Sequence, residues 1–109
     1  MKLWIDDVRP APEGYEWKKS VNEAKMFIRW VESPRDPRAN LNNYPFDNIT
    51  LIDIDHDAGE YASDGGDYIK LLDWIEETSR NYPIHIQSMN PVGVENMRRI
   101  IKRNGWKEV

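Results

Sequence analysis

The chain has 109 residues, enough for one domain with its own core and too few for two. Its 15 Lys and Arg against 19 Asp and Glu leave a formal charge of −4, a poor match for coating a polyanion such as double-stranded DNA. The absence of cysteine excludes disulfide frameworks, thiolate zinc sites and a cysteine nucleophile, and leaves His56 and His85 as the only imidazoles.

The opening MKLWIDDVRP reaches Asp6 and Asp7 without the apolar stretch of a signal peptide, and no later run has the length of a membrane span. A cytoplasmic protein with no membrane partner is expected. KLWID (2–6) reads as a first strand ended by paired acids, and the turn-prone RPAPEG after it as a loop. YEWKKS reads as a second short strand. Ser20, followed three residues later by Glu23, forms a capping box that opens a helix with Ala24, Phe27, Ile28 and Val31 on one face.

Residues 33–48, polar and with three prolines, predict an exposed loop or insertion. ITLIDID is a third strand. HDAGEYASDGGD then leads into a helix whose buried stripe is Tyr68, Leu71, Leu72 and Ile75. IHIQS after Pro83 is a fourth strand, and Asn90-Pro91 provide an N-cap and N1 proline for a helix through Val94, Met97 and Ile101. Asn104-Gly105 end that helix, and WKEV is expected to add a last strand. The tryptophans are expected mostly in the core. Arg98, Arg99, Lys102 and Arg103 on the last helix read as a solvated face. Strands alternating with amphipathic helices predict an α/β domain over 1–109 with a mostly parallel sheet covered on both faces.

LIDIDHDAG (51–59) places Asp53, Asp55, His56 and Asp57 in and after a strand that otherwise reads as buried. Carboxylates withdrawn from water repel one another and cost free energy without a partner, so a cation is expected nearby. In an open parallel sheet ligands collect at the carboxyl ends of the strands. Asp6 and Asp7 leave the first strand there, and Asp55 and Asp57 the third. These four make an oxygen-rich pocket suited to Mg²⁺ or Mn²⁺. Asp53 lies deeper and reads as structural, while Asp64 and Asp67 read as caps.

Ser88, Asn90 and Arg9 offer a hydroxyl, a helix start and a guanidinium to phosphate oxygens. Ordinary capping by Ser88 and Asn90, and solvation of Arg9, are the alternatives. His56 reads as a general acid or base, a metal ligand or a hydrogen-bonded loop residue.

Paired acids after the first strand, an aspartate after the third and a serine after the fourth resemble the receiver domain of response regulators. DGGDYIKLLDWI also resembles the receiver segment after the phosphorylated aspartate. More specifically, LWIDDVRPAPEGYEW, IDHDAG and SMNPVGVENMRRII are similar to the cyclic-phosphate processing receiver-like family, over nearly the whole chain.

The resemblance implies a flavodoxin-like, receiver-like three-layer sandwich with the first receiver helix replaced by a loop. It makes Asp6 and Asp7 metal-binding acids, Asp55 the phospho-acceptor position and Ser88 the phosphoryl-contacting hydroxyl. It also implies a role in processing cyclic phosphates of nucleotides or RNA ends. A histidine is expected just before Ser88, where this chain has Gln87, and the receiver's lysine has no counterpart after WKEV.

The first functional expectation is a Mg²⁺- or Mn²⁺-dependent phosphodiesterase or phosphohydrolase acting on a cyclic phosphate. Asp6, Asp7, Asp55 and Asp57 surround the metal and His56 protonates the leaving oxygen. Direct attack by Asp55 on phosphorus remains open. The other reading is a non-enzymatic module that binds a phosphate, nucleotide or protein partner.

Overall fold

The computed structural model describes residues 1–32 and 48–109. The expected loop over 33–48 therefore lies, but for Asn48, outside the described residues. The elements are β1 (Lys2–Ile5), β2 (Tyr15–Lys18), α1 (Val21–Glu32), β3 (Leu51–Ile54), α2 (Ile69–Glu77), β4 (Ile84–Ile86) and α3 (Pro91–Asn104). A short 3-10 turn covers Gly59–Ser63.

All strand pairs are parallel, in the order β2-β1-β3-β4, with Ile5 opposite both Lys18 and Ile54, and Ile54 opposite Ile86. The strands therefore end level, which brings the residues following β1, β3 and β4 to one edge. WKEV contributes a single bridge, Ile84 to Glu108, held by Ile84 N–H to the Lys107 carbonyl and Val109 N–H to the Ile84 carbonyl, rather than the expected strand.

Alternation along the strands divides the sheet. Leu3, Ile5, Ile52, Ile54 and Ile84 are fully buried and join the helices' Ala24, Ile28, Leu71, Leu72, Ile75, Met97 and Ile101 in one core. At roughly 1.5–3 kcal/mol for each large apolar side chain buried, this cluster is the principal favourable contribution to the fold. The expected stripe of α2 is completely buried. On α3, Gly93 and Ile100 are buried beside Met97 and Ile101, while Val94 is half-buried.

Each crossover from β2 to β3, to β4 and to the bridge at Glu108 moves across the sheet in one direction. Right-handed connections then put all three described helices on the same face. The connection moving the other way, β1 to β2, is the proline-containing loop. The α/β receiver-like class stands, with the three described helices sharing one core with the sheet. On the other face Trp4, Tyr15 and Trp17 are half-buried, with the Trp4 and Tyr15 rings edge to face at 5.7 Å. Only Trp74 and Trp106 of the five tryptophans lie in the core, which corrects the expectation for the rest.

The helix ends follow the local chemistry. Ser20 Oγ accepts the Glu23 N–H at 3.1 Å and donates to Asp64 at 2.6 Å. Asn90 Oδ1 accepts the Gly93 N–H at 3.0 Å, with Pro91 next. Gly105 closes α3 at φ 68°, a left-handed cap that favours glycine. No helix among the described residues is long and apolar enough to cross a membrane.

Candidate metal and phosphate site

The level strand ends bring together Asp6, Asp7 and Asp55, each offering one carboxylate oxygen within 4.8 Å of the others. Asp6 is fully buried. Its Oδ1 accepts the Val8 and Arg9 N–H groups, both at 3.0 Å, in a tight turn just after β1. Its Oδ2 is buried without a hydrogen-bond partner. Asp55 is fixed by its N–H to the Ile5 carbonyl at 2.9 Å, and its Oδ1 accepts the His56 N–H at 2.7 Å.

Burial is the main force pushing the Asp7 carboxyl above the usual range, and the Asp6 and Asp55 charges push the same way. Beneath the triad Tyr68 is completely buried, with its hydroxyl donating to the Lys19 carbonyl at 2.7 Å. Burial first, and then Asp7, Asp6 and Asp55, strongly disfavour ionisation of its phenol.

Arg9 supplies the nearby positive charge. Its Nε stands 3.4 Å from Asp6 Oδ2, and Nη2 stands 3.9 Å from Asp55 Oδ2 and donates to the Gln87 carbonyl at 3.4 Å. The indoles of Trp4 and Trp17 fasten this loop, donating to the Arg9 and Asp6 carbonyls at 2.8 Å each.

Asp57 stands apart from the triad. Its carboxylate is exposed and lies 2.8 Å from His56 Nδ1, so its placement is that of a partner to the imidazole. The His56 side chain is 15% exposed, with its carbonyl accepting the Tyr68 N–H at 3.1 Å. Ser88 Oγ accepts the Asn90 N–H at 3.1 Å, leaving its O–H to donate. The Asn90 carbonyl oxygen is committed to the helix cap, leaving its NH₂ group.

Asp53 is 7% exposed on the sheet face away from the helices, its Oδ1 unpartnered and its carboxyl pushed up chiefly by burial. The opposing His85 is exposed and paired through Nδ1 with the Val109 carbonyl at 2.7 Å, away from the triad. The Gln87 side-chain amide is buried with neither end hydrogen bonded. Asp64 binds Ser20 and Asn22, and Asp67 Oδ1 accepts the Ala58 N–H at 3.0 Å, both closing the loop after β3.

Two glycines escaped the sequence reading. A Cβ at Gly59 would lie 2.4 Å from Asp7 Oδ2, and one at Gly93 would lie 2.4 Å from His56 Cγ. The sequence signal for the second was a glycine inside a helix, where it is unfavourable without a local reason.

The model of the cyclic-phosphate processing receiver domain matches residues 1–103. The chain belongs to this family. No curated protein and no solved structure gives a significant match. The receiver domain's acidic cluster suits a hard divalent cation on the chemistry of its donors: three carboxylates converge, one with a buried oxygen lacking any hydrogen bond.

Proposed function

We propose that this receiver domain is a Mg²⁺- or Mn²⁺-dependent phosphohydrolase that opens a cyclic phosphate on a nucleotide or an RNA end. The observation carrying this reading is the convergence of Asp6, Asp7 and Asp55 within 4.8 Å, beside an imidazole held by a carboxylate.

Asp6, Asp7 and Asp55 would hold the cation. When bound, it would supply positive charge beside the phosphoryl group and lower the pKa of nearby water. Arg9 would offer its guanidinium to phosphoryl oxygens, and the Ser88 hydroxyl and Asn90 NH₂ would donate to the same group. Asp57 orients His56 through Nδ1, so that Nε2 delivers a proton to the departing ring oxygen. One ring P–O bond breaks; phosphorus gains the OH of water and the ring oxygen gains H.

A second reading, a module that binds a phosphate without turning it over, is favoured by Gln87. Its amide exchanges no proton near neutral pH. Phosphorus NMR of the protein with Mn²⁺-free Mg²⁺ buffer and 2′,3′- and 3′,5′-cyclic nucleotides distinguishes the two, with a parallel end-point assay in Mn²⁺. Ring-opened monoester is expected. Retained binding with no ring opening in either ion overturns the enzyme reading in favour of the module.

A further inference from the structure

Gly93 occupies the third position of α3 with ordinary backbone geometry, and it is buried. No positive φ calls for glycine there, and glycine is the least favourable residue in a helix apart from proline. What the position excludes is a side chain. A Cβ built on Gly93 would come 2.4 Å from His56 Cγ, 2.5 Å from Cδ2 and 2.8 Å from Nδ1, all far inside contact distance. The imidazole lies directly on the bare Cα of the first turn of α3.

That turn is itself fixed. Ser88 Oγ accepts the Asn90 N–H, and Asn90 Oδ1 accepts the Gly93 N–H, so the surface under the ring is tied to the end of β4. On the other side, Asp55 Oδ1 holds the His56 N–H and Asp57 Oδ1 holds Nδ1. The ring atoms nearest the Gly93 Cβ position are those at the ring's base, so Nε2 lies farther from that position, and no hydrogen-bond partner for it occurs among the described residues.

We propose that Gly93 is a positioning residue: its missing side chain lets the His56 ring seat against α3 with Nε2 free for proton delivery. The inference rests on the assignment of His56 as the acid, but the contact is testable without turnover. A methyl group at position 93 has to push the ring off this seat, because the first turn of α3 is tied to the end of β4 and the following turns are packed in the core through Met97, Ile100 and Ile101. The ring then loses its alignment to Asp57, while the carboxylates of the triad, just after β1 and β3, stay in place.

The test combines a stability cycle with a spectroscopic one. Gly93→Ala is expected to lower the melting temperature in the parent and to cost markedly less, or to raise it, in the His56→Ala background, because the clash has gone and alanine suits a helix. Long-range ¹H–¹⁵N spectra of Gly93→Ala are expected to show shifted His56 ring nitrogens, with the Mn²⁺-free Mg²⁺-induced rise in melting temperature retained. If Gly93→Ala fails to fold, folding restored by adding His56→Ala supports the proposal, and a double variant equally unfolded overturns it. Equal losses in both backgrounds, or unmoved His56 ring signals, also overturn it. In a parent that turns over a cyclic nucleotide, Gly93→Ala is expected to lower kcat with KM unchanged. A parent without turnover contradicts the enzyme reading alone, since the stability cycle still reports the contact.

Discussion

Arg9 and Asp6 form an ion pair across one tight turn: Nε lies 3.4 Å from Oδ2, while the Arg9 amide donates to Oδ1 of the same carboxylate at 3.0 Å. The same guanidinium reaches toward Asp55, so one flexible cation stands against two members of the triad. A divalent cation bound there would compete with Arg9 and leave its guanidinium available to an anion.

Arg9→Ala is therefore expected to tighten metal binding and weaken phosphate binding. Arg9 is half exposed, so solvent screens its attraction to the buried Asp6; at roughly 1 kcal/mol the gain in metal affinity is about fivefold. Isothermal titration with Mg²⁺, with and without inorganic phosphate, checks this. Weaker Mg²⁺ binding by the variant contradicts the competition.

The pH dependence has a definite sign. Asp7 is held above its ordinary value, mainly by burial, so the fold favours its protonated form. Its contribution to the stability of the metal-free protein is complete below the unfolded-state pKa of about 3.9 and is lost as pH rises through the raised folded value. Asp53 acts in the same direction. Asp64, held low by Ser20 and Asn22, acts oppositely and at more acidic pH. Denaturation midpoints of the parent and Asp7→Asn across the weakly acidic range should diverge in favour of the variant as pH rises. Parallel curves contradict the assignment. Mg²⁺ affinity should rise with pH over the same window, because the ion and the proton compete.

Gly59 has φ 55°, a left-handed conformation, and its Cα faces Asp7. Gly59→Ala is expected to lose roughly 1–2 kcal/mol from the backbone alone, and to weaken Mg²⁺ binding by displacing the Asp7 carboxylate. Urea unfolding and Mg²⁺ titration measure the two effects separately. Unchanged Mg²⁺ binding would show that Asp7 does not need this clearance.

The imidazole is expected to affect chemistry and not metal binding. His56→Ala retains the metal-induced rise in melting temperature and loses turnover by about 10²- to 10⁴-fold, the usual contribution of a general acid. Equal turnover rates for parent and variant would remove His56 from the acid role.

Much of this arrangement was legible in the chain because it is carried by local pattern. The capping box at Ser20, the stripe Tyr68, Leu71, Leu72 and Ile75, and the Asn90-Pro91 helix start each depend on residues a few positions apart. The triad followed from a topological rule, since acids after the first and third strands must meet if those strands are parallel neighbours.

What the sequence hid depends on orientation. Asp57 and Asp55 are two residues apart, yet the first turns to the His56 ring and the second to the triad. The roles of Gly59 and Gly93 lie in side chains they lack, facing residues distant in sequence. The shared face of the three described helices followed from the β1–β2 loop. The short pairing of WKEV with β4 depends on where α3 delivers the chain.

The most direct test of the account is the melting temperature of the parent and of Asp55→Asn, each with excess EDTA and with millimolar Mn²⁺. A cation bound only to the native state at about 100 times its Kd adds roughly 2.7 kcal/mol. The parent is therefore expected to melt several degrees higher with Mn²⁺. Asp55→Asn should show no such rise, and in EDTA it should match or exceed the parent, because the substitution relieves charge repulsion within the triad while keeping an acceptor for the His56 N–H. A parent melting curve unmoved by Mn²⁺, or an Asp55→Asn variant stabilised as much as the parent, would contradict the site.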